Sequence, residues 1–152
     1  MANLEFSLNL SSQPEELISY SMDYESYVDY LPDHIKRISI IETNSNETIT
    51  EEELEFHTVI NTKISQRTIH QKKDNVLSSQ IISGPFKDST INVTYNATDS
   101  GTSVKVIADL KLPLKYKILS IAIKKMYKLV LRGVLFKINT KIINQKDNSN
   151  NE

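Results

Sequence analysis

The chain has 152 residues, 39% apolar and 24% charged, which is the profile of one globular domain able to bury its own core. It has no cysteine and three glycines, so disulfides, thiol chemistry and the Gly-rich phosphate loops of nucleotide enzymes are excluded. The net charge of −1 hides a division: Leu110 to Lys146 carries ten basic residues and no acid, leaving eight bases against nineteen acids elsewhere.

Asn3 to Leu10 alternates, with Leu4, Phe6, Leu8 and Leu10 on one face, and predicts a half-buried strand. Ser12-Gln13-Pro14-Glu15 reads as a helix start, with Ser12 as cap, Glu15 closing a capping box and Pro14 in the first turn. That helix is expected to run to about Met22. Asp23 opens a second short helix that carries Tyr24, Tyr27 and Tyr30 and stops at Leu31-Pro32.

Six strands follow: Ile35–Thr43, Glu47–Phe56, Val59–Gln71, Val76–Ser83, Ser89–Ala97 and Ser103–Leu112. Asn44-Ser45-Asn46, Lys73-Asp74-Asn75, Gly84-Pro85 and Asp99-Ser100-Gly101 supply the turns. Short connections between long strands imply an antiparallel meander. Pro113 then opens a helix from Leu114 to about Asn144, roughly 45 Å long. Leu119, Ile123, Met126, Val130 and Val134 share one side of it. Lys117, Lys124, Lys125, Lys128 and Arg132 share the other, with Ile121 and Leu135 among them. Residues 1–145 are expected to form the domain, and 146–152 a disordered polar tail. With no long apolar run and no leader pattern at Met1–Glu5, the expectation is a cytoplasmic protein that spans no membrane.

The order is α+β: a strand, two short helices, six strands and one long helix. Three stretches add to it: Tyr24-Glu25-Ser26-Tyr27-Val28-Asp29-Tyr30-Leu31-Pro32, the hairpin Ile82-Ser83-Gly84-Pro85-Phe86-Lys87, and Gly101-Thr102 with the alternating strand after it. Over nearly its whole length the chain resembles the START-like (SRPBCC) superfamily, in particular its polyketide cyclase and coenzyme Q-binding branch. The resemblance implies a helix-grip fold, in which a seven-stranded curved antiparallel sheet wraps around the C-terminal helix. It also implies a cavity between them for an apolar ligand such as a quinone, lipid, isoprenoid, sterol or polyketide.

The residues expected to line that cavity are Phe6, Leu8, Tyr27, Leu54, Phe56, Ile64, Phe86, Ile91, Val93, Tyr95, Val106, Met126 and Val130. Phe86, at a hairpin tip, reads either as a gate or as a side chain packed down on the long helix. The cationic helix is either a solvated back or a dock for anionic lipid through Lys117, Ile121, Lys124, Lys128 and Leu135. Nucleic acid or a ribosome fits less well, because no aromatic stacking platform lies among the lysines.

No cofactor is called for, and His34, His57 and His70 lack the spacing of metal ligands and are expected to be exposed or singly bonded. No nucleophile elbow or triad can be assembled. The only candidates for acid–base work are Glu52 and His70. Glu52 shares a parity with Thr50, Leu54 and Phe56, and an inward carboxylate would titrate high. The preferred expectation is nevertheless that a twist or bulge turns Glu52 to solvent. His70 and Gln66 share a parity with Thr62 and Ile64. If both candidates face the cavity, the chain reads instead as a cyclase or aromatase acting on a polyketide-like substrate.

Overall fold

The computed structural model describes residues 2–57 and 61–150. Its elements are β1 (Ala2–Leu10), α1 (Pro14–Ser21), a 3-10 turn (Tyr24–Ser26), α2 (Tyr27–Tyr30), β2 (Ile35–Thr43), β3 (Glu47–His57), β4 (Asn61–Lys73), β5 (Val76–Ser83), β6 (Thr90–Thr98), β7 (Gly101–Leu110), α3 (Leu114–Lys117) and α4 (Ser120–Asn150). The strands form one seven-stranded sheet in the order β1-β7-β6-β5-β4-β3-β2, antiparallel throughout. The first two strands are therefore its two edges. The short helices between them carry the chain from one edge to the other, while the hairpins fill the middle.

Alternation decides which face is buried. In β7, Val104, Val106, Ala108 and Leu110 are buried while Lys105 and Ile107 are exposed. Register sets Phe6 opposite Val106, and Val106 opposite Val93, so one apolar row crosses three strands. Register shifts in β2, at Ile35/Arg37 and Ile40/Glu42, and between β4 and β5 at Arg67/Thr68 bend the sheet inward. Gly84, at φ +99°, sits where an added Cβ would lie 2.6 Å from the Ser65 carbonyl, so this sharp turn excludes any side chain.

The backbone of α4 makes its closest approaches to β1, β3, α1 and α2. The helix thus bridges the curved sheet near its two borders and stands over the central strands. Its C-terminal half is held by Ser12 N–H donating to Asn139 Oδ1 (3.0 Å) and by a Lys146–Glu16 ion pair at 2.7 Å. Tyr20 hydrogen-bonds Gln145, and Lys141 lies over the rings of Tyr20 and Tyr30. Its N-terminal half is held by Tyr127, which meets Phe56 and Phe86 edge to face at 5.0 and 5.9 Å.

Several details depart from the sequence reading. No capping box forms: Gln13 is the N-cap of α1, and the Ser12 hydroxyl is buried without a partner. The C-terminal helix is broken at Ile118–Leu119 into α3 and α4. The stretch from Lys146 to Asn150, expected as a disordered tail, continues α4, with its first lysine tied to Glu16. The proposed strand start at Val59 lies outside the described residues.

Candidate functional site

The concave face divides into an apolar and a polar half. Leu4, Leu8, Val104, Val106, Ala108 and Tyr95 are buried on the side of β1, β7 and β6. Phe6 of the edge strand β1, with Ile91 and Val93 of β6, packs on this core, and all three stay only partly buried although they lie on the inward face of the sheet. Met126, Tyr127 and Val130 of α4 are buried in the same core.

The other half carries a buried polar row. Glu52 is 7% exposed, with Leu54 and Phe56 on the same face. It does not turn to solvent as expected, because its own strand β3 and the neighbouring β4 bring it partners. The hydroxyls of Thr50 and Thr68 each donate to its carboxylate at 2.8 Å. Burial raises its pKa above the ordinary carboxylate value, and hydrogen bonds from Thr50, Thr68 and Gln66 partly offset that.

His70 is neither exposed nor singly bonded. Its Nε2 lies 2.9 Å from Thr50 Oγ1, its Nδ1 2.7 Å from Ser79 Oγ, and its ring stacks on Tyr24 at 4.1 Å. Burial pushes the imidazole down to about 4. With Glu52 ionised, the single proton of Thr50 goes to the carboxylate. His70 then donates from Nε2 to Thr50 and accepts at Nδ1 from Ser79. The row Ser79–His70–Thr50–Glu52 is thus a directed chain of hydrogen bonds across β5, β4 and β3.

Beside it stand two orphaned groups. Gln66 Oε1 and the Tyr127 hydroxyl are buried with no hydrogen-bond partner, although Tyr127 comes close to Gln66. Burial, with the charge of Glu52 second, pushes the Tyr127 phenol well above its ordinary value. Each such group costs about 1–3 kcal/mol when nothing meets it, which marks a polar spot in a mostly apolar interior. Among the described residues, no cluster of His, Asp and Glu side chains is able to hold a metal ion.

The two ends of the interior are closed differently. At the helical end, Tyr95 donates to Ser21 Oγ at 2.9 Å and Tyr27 donates to the Ser21 carbonyl. At the opposite end Phe86 is fully buried, with Tyr116 at 5.3 Å. It is packed down on the long helix and is not an exposed gate, because the Gly84 turn folds the tip inward. The gap between Phe56, Ile64, Phe86, Tyr116, Leu119 and Ile123 is too narrow for a water molecule.

Of the expected cavity residues, Leu8, Leu54, Phe56, Ile64, Tyr95, Val106, Met126 and Val130 are all in the one core, with Phe6, Tyr27, Ile91 and Val93 packed against it. Ser79 and Tyr127 were not foreseen. Ser79 is matched to His70 only by the β4–β5 register, and Tyr127 reads as one more residue of a helix flank. On the outer face Ile121 is 71% exposed, as a surface residue among lysines should be. Leu135, expected beside it at a membrane, is 5% exposed and belongs to the core. Among the described residues, no helix is long and apolar enough to cross a membrane.

No protein-family model and no curated protein matches the sequence. Solved structures do match. The protein TTHA0849 from Thermus thermophilus superposes with a TM-score of 0.77 at 12% identity, covering 91% of this chain and 98% of its own. The Zhui aromatase/cyclase from Streptomyces sp. R1128 gives 0.76 at 12%, covering 92% and 94%. A START superfamily protein from Mycobacterium smegmatis gives 0.66 at 13%, covering 91% and 97%. At such identities the likeness is one of fold. The chain has the helix-grip architecture of START-like proteins, with the long helix laid over a curved antiparallel sheet.

Proposed function

We propose that the protein binds a mostly apolar small molecule with one polar end, of lipid, quinone or isoprenoid type, between the concave face of the sheet and α4. The observation that carries this is the pair of orphaned groups, Gln66 Oε1 and the Tyr127 hydroxyl, beside Glu52 in the polar half of an interior whose other half is apolar. A hydroxyl on the ligand would satisfy both, donating to Gln66 Oε1 and accepting from the Tyr127 hydroxyl. The apolar body would lie over Phe6, Ile91 and Val93, which are only partly buried on the inward face. Burying ~300 Å² of ligand surface there contributes about 7 kcal/mol before the costs of association. The fold supports the reading, since the helix-grip architecture is shared with an aromatase/cyclase and a START superfamily protein. The proposed setting is the cytoplasm, with cargo exchanged at an anionic membrane surface.

Native mass spectrometry of the protein purified from its own cells tests this: a co-purifying apolar mass is expected. Tyr127→Phe should then release that mass more readily while leaving the apo fold as stable as before, or more so by about 1 kcal/mol. A protein that arrives empty, and that binds no fluorescent apolar probe such as 1-anilinonaphthalene-8-sulfonate, would refute the carrier.

One observation favours a second reading. The chain from Ser79 through His70 and Thr50 to Glu52 is able to move a proton, and a structural neighbour is described as an aromatase/cyclase. In that case Glu52 is the acid or base and a polyketide-like chain the substrate. Cyclisation lost in Glu52→Gln with substrate binding intact would favour the enzyme, and an unchanged rate would exclude it.

A further inference from the structure

Among the described residues, the three most exposed large apolar side chains lie together at the bend between α3 and α4. Leu114 is 80% exposed, Ile118 92% and Ile121 71%, far above the next, Leu129 at 47%. Spaced by four and then three positions, they fall on one side of the bend. Lys115, Lys117, Lys124 and Lys125 flank them, and among the described residues none of these lysines makes a salt bridge. The other side of the same bend faces inward: Tyr116 and Leu119 are half-buried against the core and close the narrow gap beside Phe86.

An aliphatic tip inside a cationic rim fits a surface that is anionic outside and apolar within. A second copy of this chain would bring the same lysines against these. A nucleic acid would meet the charge and leave the three aliphatic side chains in water.

We propose that the α3–α4 elbow docks the protein on anionic bilayers, with Leu114, Ile118 and Ile121 entering the acyl boundary and the flanking lysines meeting lipid headgroups. The docking rests on the membrane side of the proposed function. Its test needs no cargo, so a failure of either is told apart from a failure of the other.

The test is co-sedimentation of the full chain with vesicles of phosphatidylcholine mixed with phosphatidylglycerol, and with pure phosphatidylcholine. Binding to the mixed vesicles at low salt is expected, weaker by about tenfold or more on the neutral vesicles and at high salt. Ile118→Asp should weaken it by about tenfold or more, and Ile118→Ser by less. Lys115→Glu with Lys117→Glu should abolish the preference for anionic lipid. Ile107→Asp, an exposed site on the outer face of β7, should bind as wild type. Circular dichroism should show all variants folded. Wild type that stays in the supernatant, or Ile118→Asp that sediments like wild type, overturns the proposal. So does an Ile118→Asp variant that loses only a dimer seen by light scattering, or loses only binding to single-stranded RNA.

Discussion

Replacing His70 with Asn removes one titration from the interior and leaves the rest in place. Burial holds the folded imidazole at about 4 against an ordinary 6.5. Between those values the unfolded chain binds a proton that the fold refuses. The stability His70 contributes is therefore complete above the ordinary value and is lost as pH falls toward 4. The full gap corresponds to about 3 kcal/mol, and the part lost between pH 7 and pH 5 to about 2 kcal/mol. Glu52, 3.9 Å from His70 Nε2, works in the other direction: its pKa is raised, so its proton is favoured in the fold and stability is gained as pH falls. Because both proteins carry Glu52, the difference between them reports on His70. Urea unfolding followed by circular dichroism at the two pH values gives the answer. The wild-type midpoint should fall by about 1 M more than that of His70→Asn, for a denaturant slope of about 2 kcal/mol/M. Loss of the ring stacked on Tyr24 will lower the variant at every pH, which does not affect this comparison. Parallel losses in the two proteins would mean that His70 is as accessible to water as an ordinary surface histidine.

Phe86→Ala should cost about 3–5 kcal/mol, since the ring is fully buried between Tyr116 and Tyr127; a melting temperature within a degree or two of wild type would contradict the closed end. Gly84→Ala should cost about 1–3 kcal/mol in denaturant unfolding, because the added methyl meets the Ser65 carbonyl at a positive φ. Leu135→Ser should destabilise by about 2–4 kcal/mol and Ile121→Ser by less than about 0.5 kcal/mol, which calorimetry separates; equal effects would mean that the rotation of α4 about its axis is wrong.

The sheet was legible where one face is wet. Leu4 to Leu10 and Val104 to Leu110 alternate so regularly that strand and buried face follow with little room for error, whereas the pairing of β1 with β7 does not. Glu52 was not legible, even though its parity with Leu54 and Phe56 pointed inward. Whether a carboxylate stays buried depends on partners, and Thr68, His70 and Ser79 come from two other strands through pairings that the sequence does not display. Leu135 was misplaced for a related reason. A helical wheel assumes one buried arc, whereas the C-terminal half of α4 is packed from several sides, by α1, α2 and β1. The bend at Ile118 has neither glycine nor proline to announce it. Phe86 was ambiguous because its direction depends on the Gly84 turn, which a list of turn residues does not resolve.

The row from Ser79 to Glu52 has two self-consistent settings. With the carboxylate charged, every proton in it points toward β3, and Ser79 keeps lone pairs to offer the interior. Once Glu52 is protonated it donates to Thr50, Thr50 donates to His70 Nε2, and the imidazole switches tautomer and donates from Nδ1 to Ser79. The serine is then left with a hydrogen to give. One proton taken up at the far end thus reverses the polarity of a hydroxyl two strands away, so the same chamber would favour a guest that donates in one setting and a guest that accepts in the other.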